Sequence, residues 1–314
     1  MGEFDFINGI KSAFANIGDR SIEGIGDDCA IIPIGDNESI VVTSDMLIED
    51  VHFLRNRCTP EELGYKSLAV NLSDVAAMGI QPIATLLSIS LPKECSEQWA
   101  LRFMEGYRKL SAQYNVALIG GDTTSSKSGI AINVTAIGRG PNQNIKRRNA
   151  AQVGDVIAVS GPLGGSAQGL MDIISGNDTS LAAKIHKHPS PRIEIGVWLG
   201  QRPEVHAMMD LSDGLASDLC HILRASNIDA SIETTHIPAP YGIEMAVCGG
   251  EDYELLMSID ATAFESLKQE LFCDLGIELC AVGHAHPCTQ EAPQIHWFEN
   301  GEKINPNWHG FTHF

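Results

Sequence analysis

Acidic side chains occur where the sequence pattern predicts a strand end or a buried segment. Asp45 ends the predicted strand 40–44, and Asp122 follows an apolar run and two glycines. Strand ends beside glycine are places where a ligand can approach the backbone. The other acids of this kind are Asp27, Asp28, Asp210 and Asp213. With the hydroxyls of Thr43, Ser44 and Ser212 beside them, they offer the hard oxygen ligands that Mg²⁺ prefers.

Asp74 is the most unusual of the acids, because it lies in a segment, 68–78, that is apolar nearly all round when it is read as a helix. No Lys or Arg lies one turn away to pair with it. An ionised carboxylate is rarely buried alone, since its desolvation costs several kcal/mol. The partner of Asp74 must therefore come from elsewhere in the fold, as a basic residue or a metal ion.

Structural roles for these acids remain open from the residues alone. Asp27 or Asp28 could form a turn, and Ser212 or Asp213 could cap the helix predicted to begin near Leu215. The stretch 210–214 lacks the alternate spacing and the twelfth-position Glu of an EF-hand loop, so calcium buffering is disfavoured.

Two further motifs are weaker. The glycine-rich stretch 161–166 precedes a predicted helix, but it lacks the endings of known phosphate loops, and we expect a tight turn. The pairs His186 with His188 and His284 with His286 lack a third ligand at metal spacing, and we expect solvated loop histidines.

The composition limits the classes of function. The 314 residues are 44% apolar and 19% charged, which is typical of a globular chain, and the length predicts two domains. Forty acidic against 21 basic residues give a formal charge of −19, which disfavours nucleic acid as a partner. No apolar run reaches the roughly 18–20 residues of a membrane helix, and the N-terminus lacks a signal-peptide pattern, so we expect a cytoplasmic protein. The eight cysteines lack zinc-ligand spacing and predict reduced, mostly buried thiols.

The predicted elements alternate between strands and helices. Thr59, Pro60 and Glu62 form a helix start with a capping box, and this helix should run to about Met78 and end at Gly79. A second helix is expected from Ser96 to about Tyr114. These patterns indicate an α/β or α+β fold.

Turn residues at 140–144, followed by the basic cluster 146–148, predict a domain boundary that divides the chain into 1–141 and 142–314. The second part should contain a strand at 156–159, helices that begin near Ser166 and span about 193–199 and 215–224, and short strands after Glu278.

Taken together, the motifs closely resemble those of the thiamine-monophosphate kinase family, in order along nearly the whole chain. The most specific is Gly249-Gly250-Glu251-Asp252-Tyr253-Glu254-Leu255. The resemblance implies a two-domain fold like that of aminoimidazole-ribonucleotide synthetase, with an N-terminal domain that dimerises through its sheet and a C-terminal α/β domain. It also implies a homodimer that phosphorylates thiamine monophosphate to thiamine diphosphate with ATP and several Mg²⁺ ions.

The resemblance further implies roles for individual residues. The implied Mg²⁺ ligands are Asp28, Thr43, Ser44, Asp45, Asp74, Asp122, Asp210 and Asp213. The implied ATP contacts are Gly121, Asp122, Arg148 and Ser212. The implied substrate contacts are His52, Glu251 and Phe311. Two choices stay open: Asp27 competes with Asp28 for the metal, and Trp308 competes with Phe311 for stacking on the substrate.

The implied chemistry agrees with the residue types. Both phosphate compounds are strongly anionic, so metal ions held by carboxylates would offset their repulsion. The attacking phosphate oxygen is already an anion, and we expect direct in-line transfer without a general base or a catalytic nucleophile. The alternatives are an ATP-dependent synthetase that phosphorylates an amide or selenide, and a non-catalytic Mg-nucleotide-binding scaffold.

Overall fold

The computed structural model describes residues 2–311 and contains two mixed sheets. The N-terminal sheet has the strand order β1-β2-β5-β3-β4. Its strands are β1 (Ala30–Pro33), β2 (Glu38–Ile48), β3 (Pro82–Leu91), β4 (Ala117–Ser125) and β5 (Ala131–Pro141). The helices of this half are α1 (Glu3–Phe14), α2 (Pro60–Ala77) and α3 (Glu97–Tyr114). Strand β4 forms one edge of the sheet, and every one of its residues is exposed.

The C-terminal sheet has the order β12-β11-β8-β10-β6-β9-β7. Its strands are β6 (Val156–Val159), β7 (Val205–Asp210), β8 (Ile228–Glu233), β9 (Leu255–Ile259), β10 (Cys280–Pro287), β11 (Ile295–Glu299) and β12 (Glu302–Ile304). The helices are α4 (Gly165–Ile174), α5 (Leu181–Lys187), α6 (Ile193–Gly200), α7 (Leu215–Ser226), α8 (Ile243–Cys248) and α9 (Phe264–Leu275). The last strand of the N-terminal sheet ends at Pro141, and every strand of the C-terminal sheet follows it in the sequence.

Helix α2 begins as the sequence predicts. The Thr59 side chain accepts a hydrogen bond from the backbone N–H of Glu62, and the Glu62 carboxylate accepts one from the backbone N–H of Thr59. Such a box satisfies two of the N–H groups that a helix start leaves unpaired. The helix ends at Ala77 with Met78 as its C-cap, and the next residue, Gly79, has a φ of 76° that suits glycine. A Cβ there would lie 2.6 Å from the Asn144 carbonyl oxygen, so this position also permits a close backbone approach.

The same helix joins the two halves of the molecule. Its side chains are buried on nearly every face, as the apolar pattern predicts. One face packs on the N-terminal sheet, and another meets α6, where a Cβ on Gly196 would lie 2.2 Å from the Ala76 carbonyl oxygen. Polar side chains after the first turn of α2, such as Lys66 and Asn71, therefore face a protein interior or a site between the two sheets.

Most other predicted elements are confirmed, including the Ser96 cap of α3 and the strand 156–159. Helix α7 instead has Gly214 as its N-cap, and the Asp218 carboxylate accepts the backbone N–H groups of Asp213 and Gly214, so the capping roles weighed for Ser212 and Asp213 are wrong. The eight cysteines are free thiols, but only Cys29 is fully buried, so the expectation of mostly buried thiols is also wrong. Among residues 2–311, no helix has the length and apolar character needed to span a membrane.

Candidate active site

Three carboxylates from distant parts of the sequence converge between the sheets. Asp28 precedes β1, Asp74 lies near the end of α2, and Asp210 ends β7. One oxygen from each lies within 4.8 Å of the others. Asp210 is 2% exposed, and the side chain of Asp28 is equally inaccessible. We call these three residues the carboxylate cluster.

Neighbouring polar groups hold the cluster in place. The Thr43 hydroxyl donates to Asp74, and the Ser73 hydroxyl donates to Asp210. Thr43 and Asp45 lie on the same face of β2, because side chains alternate along a strand. These bonds fix the carboxylates without neutralising them.

The negative charges raise one another's pKa values. Burial, then the charges of Asp45, Asp210 and Asp28, raise the pKa of Asp74 well above its ordinary value. Burial and the charge of Asp28 raise the pKa of Asp210 to about 8, and the same two causes raise that of Asp45 to about 6. Several carboxylates held together in this way favour either protons or a cation.

The contacts of Asp28 indicate that the cluster suits a cation better than protons. Its Oδ1 accepts a hydrogen bond from Nη2 of Arg148 at 2.7 Å, whereas its Oδ2 is buried with no hydrogen-bond partner among the described residues. An unpaired buried carboxylate oxygen is costly unless a cation binds it. Asp27 instead accepts the backbone N–H of Arg148 and lies outside the cluster. The donor set is oxygen only, which fits Mg²⁺.

The raised pKa of Asp210 predicts an unusual dependence of stability on pH. A folded-state pKa near 8, against 3.8 for an ordinary Asp, means that stability from the protonated form is complete below about pH 3.8 and is lost as pH rises through about 8. We therefore expect the free energy of unfolding of the wild type, relative to that of Asp210→Asn, to fall across this window by up to about 1.4 kcal/mol per pH unit. Denaturant melts of chelator-treated protein measure it. A constant difference would contradict the assignment.

A cavity of about 890 Å³ adjoins the cluster and lies between the two halves of the chain. Asp45 and Asp74 line one part of it, and Ser212 and Asp213 approach from the C-terminal half. Its volume lies within the roughly 300–1,000 Å³ of small-molecule sites. Most of the remaining lining is apolar, and it includes Val51, Phe53, Leu170, Met171, Ile174 and Met245. Acidic groups and an apolar compartment thus share one cavity.

Glu251 is a charged group within this mainly apolar lining. Lys66 on α2 places Nζ 2.9 Å from one of its carboxylate oxygens. Burial opposes ionisation of Glu251, but the charges of Lys66, His186 and His52 hold its pKa below the ordinary value. Sequence reasoning missed Lys66, although a lysine within an otherwise apolar helix was a signal for it.

His186 also departs from expectation. It is 8% exposed, its Nδ1 lies 2.9 Å from the Ser166 hydroxyl, and it lines the cavity, so the prediction of a solvated histidine is wrong there. The glycine-rich turn lies beside it. The backbone N–H groups of Gly164 and Ser166 donate to Asp252 at 2.6 and 3.1 Å, which agrees with a turn whose N–H groups are already paired.

Three implied site residues lie apart from the cluster. Ser44 is on the opposite face of β2 from Thr43 and Asp45, where its hydroxyl contacts Asn133 and Thr135. Gly121 and Asp122 are on the edge strand β4. Neither is among the described residues that line the 890 Å³ cavity. Asp122 pairs across the sheet with Ser88, which pairs with Asn133, so it shares the face of Ser44.

The two candidate aromatics of the C-terminal segment have different surroundings. Phe311 is half exposed, lines the cavity, and donates its backbone N–H to the Asp213 carbonyl at 3.0 Å. Trp308 packs on the C-terminal core, edge to face with Trp297 at a ring separation of 5.0 Å. The rest of the predicted motif, 312–314, lies outside the described residues.

The fold and site match two family models. The model described as "AIR synthase related protein, N-terminal domain" matches residues 26–140, and the corresponding C-terminal domain model matches residues 152–282. The molecule is therefore a two-domain α/β protein of the AIR synthase related class.

More specific comparisons narrow this class. A thiamine-monophosphate kinase from Haemophilus influenzae is 37% identical, over 100% of this chain and 98% of its own. The crystal structure of thiamine-monophosphate kinase from Stenotrophomonas maltophilia is 34% identical with a TM-score of 0.76, covering 96% of this chain and 98% of the other. "AaThiL complexed with AMPPCP and TMP" gives a TM-score of 0.84 at 29% identity, covering 100% and 97%. The chain belongs to the thiamine-monophosphate kinase family of enzymes.

Proposed function

We propose that this chain transfers the γ-phosphoryl group of ATP to the phosphate of thiamine monophosphate and releases thiamine diphosphate, as the last step of thiamine diphosphate biosynthesis, and that it does so in the cytoplasm. One observation carries the proposal: a cluster of carboxylates with an unpaired buried oxygen adjoins a cavity whose other walls are apolar and hold Glu251. AMPPCP is an unreactive analogue of ATP, and its presence with TMP in a related structure supports this pairing of substrates.

The residues of the cluster would hold Mg²⁺ ions. Asp28, Asp74 and Asp210 supply carboxylate oxygens, and Asp45 and Thr43 lie beside them. Bound Mg²⁺ supplies charge neutralisation between the two sets of phosphate oxygens. Arg148 adds fixed positive charge at Asp28, and it and Ser212 are proposed ATP contacts. Asp213 is a further proposed ligand on the cavity wall.

Transfer in one in-line step suits the groups that surround the cavity. The acceptor phosphate oxygen is already anionic, so no side chain has to remove a proton. Burial raises the pKa of the Cys58 thiol to about 11, which leaves it neutral and a poor nucleophile. Burial and the nearby charge of Lys66 lower the pKa of His186 to about 4, and its ring is held by Ser166.

The decisive assay incubates the purified chain with ATP, Mg²⁺ and thiamine monophosphate and measures thiamine diphosphate. We expect product that depends on all three, and none when unphosphorylated thiamine replaces the acceptor. Transfer from ATP that is chiral at the γ-phosphorus should invert its configuration. ATP hydrolysis without thiamine diphosphate would favour a synthetase or a nucleotide-binding scaffold, and retention of configuration would contradict single-step transfer.

A homodimer is proposed from the exposed edge of the N-terminal sheet. Strand β4 leaves one row of backbone groups unpaired, and it exposes Leu118 by 41% and Ile119 by 60%. Long exposed edges with apolar side chains are usually covered. A second copy on this sheet would also cover the face that carries Ser44 and Asp122, and would bring their oxygens and Gly121 into a protein environment.

Ile119→Asp is therefore expected to convert the dimer to a monomer and to lower turnover strongly, because a charge would have to be buried in the interface. Sedimentation velocity, together with the assay above, measures both effects. Leu181→Asp, at a 70% exposed position on α5, is the matched control and should change neither. A wild type that sediments as a monomer at assay concentration would contradict the dimer.

Phe311 is expected to contribute to binding of the thiamine rings. Stacking and cation-π attraction to a cationic thiazolium contribute about 0.5–2 kcal/mol, so Phe311→Ala should raise KM for thiamine monophosphate by about two- to thirtyfold. KM for ATP and the melting temperature should stay nearly constant. Trp308→Ala should instead lower the melting temperature, because it removes the contact with Trp297. The reverse outcome would identify Trp308 as the stacking residue.

A further inference from the structure

A second group of metal-binding side chains lies on the C-terminal sheet. His286 on β10 is directly opposite Asp229 on β8, and His296 on β11 is opposite Ser231 on the same central strand. Directly paired residues share a face, and so do residues two apart on a strand. All four therefore lie on one face, opposite the one on which Ile228, Ala230 and Ile232 enter the core.

Asp229, His286 and His296 lie close enough together for one ion to bind all three. One ligand atom of each lies within 4.8 Å of the others. The Nε2 of His296 is 3.3 Å from Oδ2 of Asp229, which is long for a charge-assisted hydrogen bond of about 2.7–2.9 Å. It matches the edge of a tetrahedron whose corners lie about 2.0–2.1 Å from a central zinc, since that edge is about 3.3–3.4 Å.

The carboxylate of this group is buried but lacks a full charge partner. Asp229 is 0% exposed, and within residues 2–311 only His296 forms an ion pair with it. Its Oδ1 accepts the backbone N–H of Gln294 at 2.8 Å, which orients the side chain. Its Oδ2 lies on the side of His296, where a cation shared with the imidazoles would bind.

The two imidazoles are oriented as well. Their rings stack at a centroid distance of 5.3 Å with 20° between the planes. The Ser231 hydroxyl is 2.9 Å from Nε2 of His286. The Ser231 contact is of the kind that fixes ligand orientation in metal sites. The Lys303 ammonium is 3.3 Å from Nδ1 of His296, and this contact would have to break on metal binding, because Nδ1 carries the ring proton when Nε2 binds a metal.

We propose that Asp229, His286 and His296 bind a divalent metal of the zinc class at a site separate from the carboxylate cluster. Two imidazoles and one carboxylate match a ligand set known for zinc, whereas Mg²⁺ prefers oxygen ligands alone. Water would complete the coordination of the ion. None of the three ligands lines the 890 Å³ cavity.

The bound metal would have a structural role. It joins β8, β10 and β11, and β11 carries Trp297 directly after His296. Trp297 packs on Trp308, which precedes the segment that brings Phe311 to the cavity. Metal binding should therefore stabilise the edge of the sheet that anchors this segment.

Cobalt provides the most direct test, because tetrahedral Co²⁺ absorbs visible light strongly and octahedral Co²⁺ on carboxylates does so weakly. The untagged, chelator-treated full chain is titrated with Co²⁺ in excess Mg²⁺, which occupies oxygen sites but competes poorly for imidazole. We expect a strong visible band that saturates at one ion per chain and is removed by Zn²⁺. A wild type without this band would overturn the proposal.

Variants assign the band to its ligands. His286→Ala and His296→Ala should each abolish it, with circular dichroism confirming the fold. His284→Ala, on the same strand but outside the group, is the matched control and should retain the band. Zn²⁺ should raise the melting temperature of the wild type and of His284→Ala, but not that of His296→Ala. A band or a Zn²⁺ effect that persists in both ligand variants would overturn the site.

Discussion

Replacing Asp74 with Asn is expected to lower turnover by about a hundred- to a thousandfold, the usual effect of removing one group that stabilises transition-state charge. Asp74 lines the cavity and has Asp28 and Asp210 within 4.8 Å, so its loss removes the central oxygen donor of the proposed metal site. The shape of the side chain is kept. Steady-state rates at saturating ATP, thiamine monophosphate and Mg²⁺ measure the effect.

Stability separates the metal role of Asp74 from a purely structural one. In chelated protein, Asp74→Asn should melt at a higher temperature than the wild type, because folding must either bury the Asp74 charge among three other carboxylates or protonate it, and Asn avoids both costs. With Mg²⁺ added, the wild type should gain more stability than the variant. Asp36→Asn, at an exposed position, is the control and should change neither property. Full activity of Asp74→Asn at saturating Mg²⁺ would rule out the metal role.

The sequence identified the cluster because burying acids without partners is costly. Asp74 in an apolar helix and Asp210 after an apolar run both signal an unmet charge, and the structure places them together with Asp28. The start of α2 was equally predictable, since the capping box depends only on residues three apart. Signals of this kind are local and need no knowledge of how the chain folds back.

Groups that depend on strand pairing could not be found in this way. Lys66 and Glu251 are 185 residues apart, and no spacing rule joins them. His286 lacked a third ligand in its own segment because Asp229 and His296 come from two other strands of the sheet, β8 and β11. Sequence patterns indicate which side chains need partners, and the topology determines which partners they meet.

Lys66 and Glu251 form an ion pair between distant parts of the sequence, and its disruption should have the largest effect on stability. Lys66 is 4% exposed, and its ammonium contacts both Glu251 oxygens, at 2.9 and 3.0 Å. Removing one partner of a buried pair costs about 3–5 kcal/mol because the other charge stays buried. Since the Glu251 side chain is 27% exposed towards the cavity, Lys66→Met should destabilise by an amount near the lower limit of that range.

The same change should also weaken substrate binding, because an unpaired Glu251 would turn towards water or take up a proton. We expect Lys66→Met to raise KM for thiamine monophosphate about tenfold or more, a loss of at least about 1.4 kcal/mol in binding, with little effect on KM for ATP. Denaturant melts and steady-state kinetics measure the two effects. Lys187→Met is the matched control, since Lys187 is also a buried lysine on the cavity wall but lies 3.9 Å from its carboxylate partner.

A double variant tests whether both effects arise from the pair. Glu251→Gln in the Lys66→Met background removes the stranded charge, so most of the lost stability should return while KM for thiamine monophosphate stays high. Stability would then recover without affinity. Stability depends on whether a charge is left unpaired, whereas affinity depends on whether residue 251 presents a carboxylate to the substrate. If the double variant were less stable than Lys66→Met, the loss would come from packing around the lysine stem, and the ion pair would have no part in it.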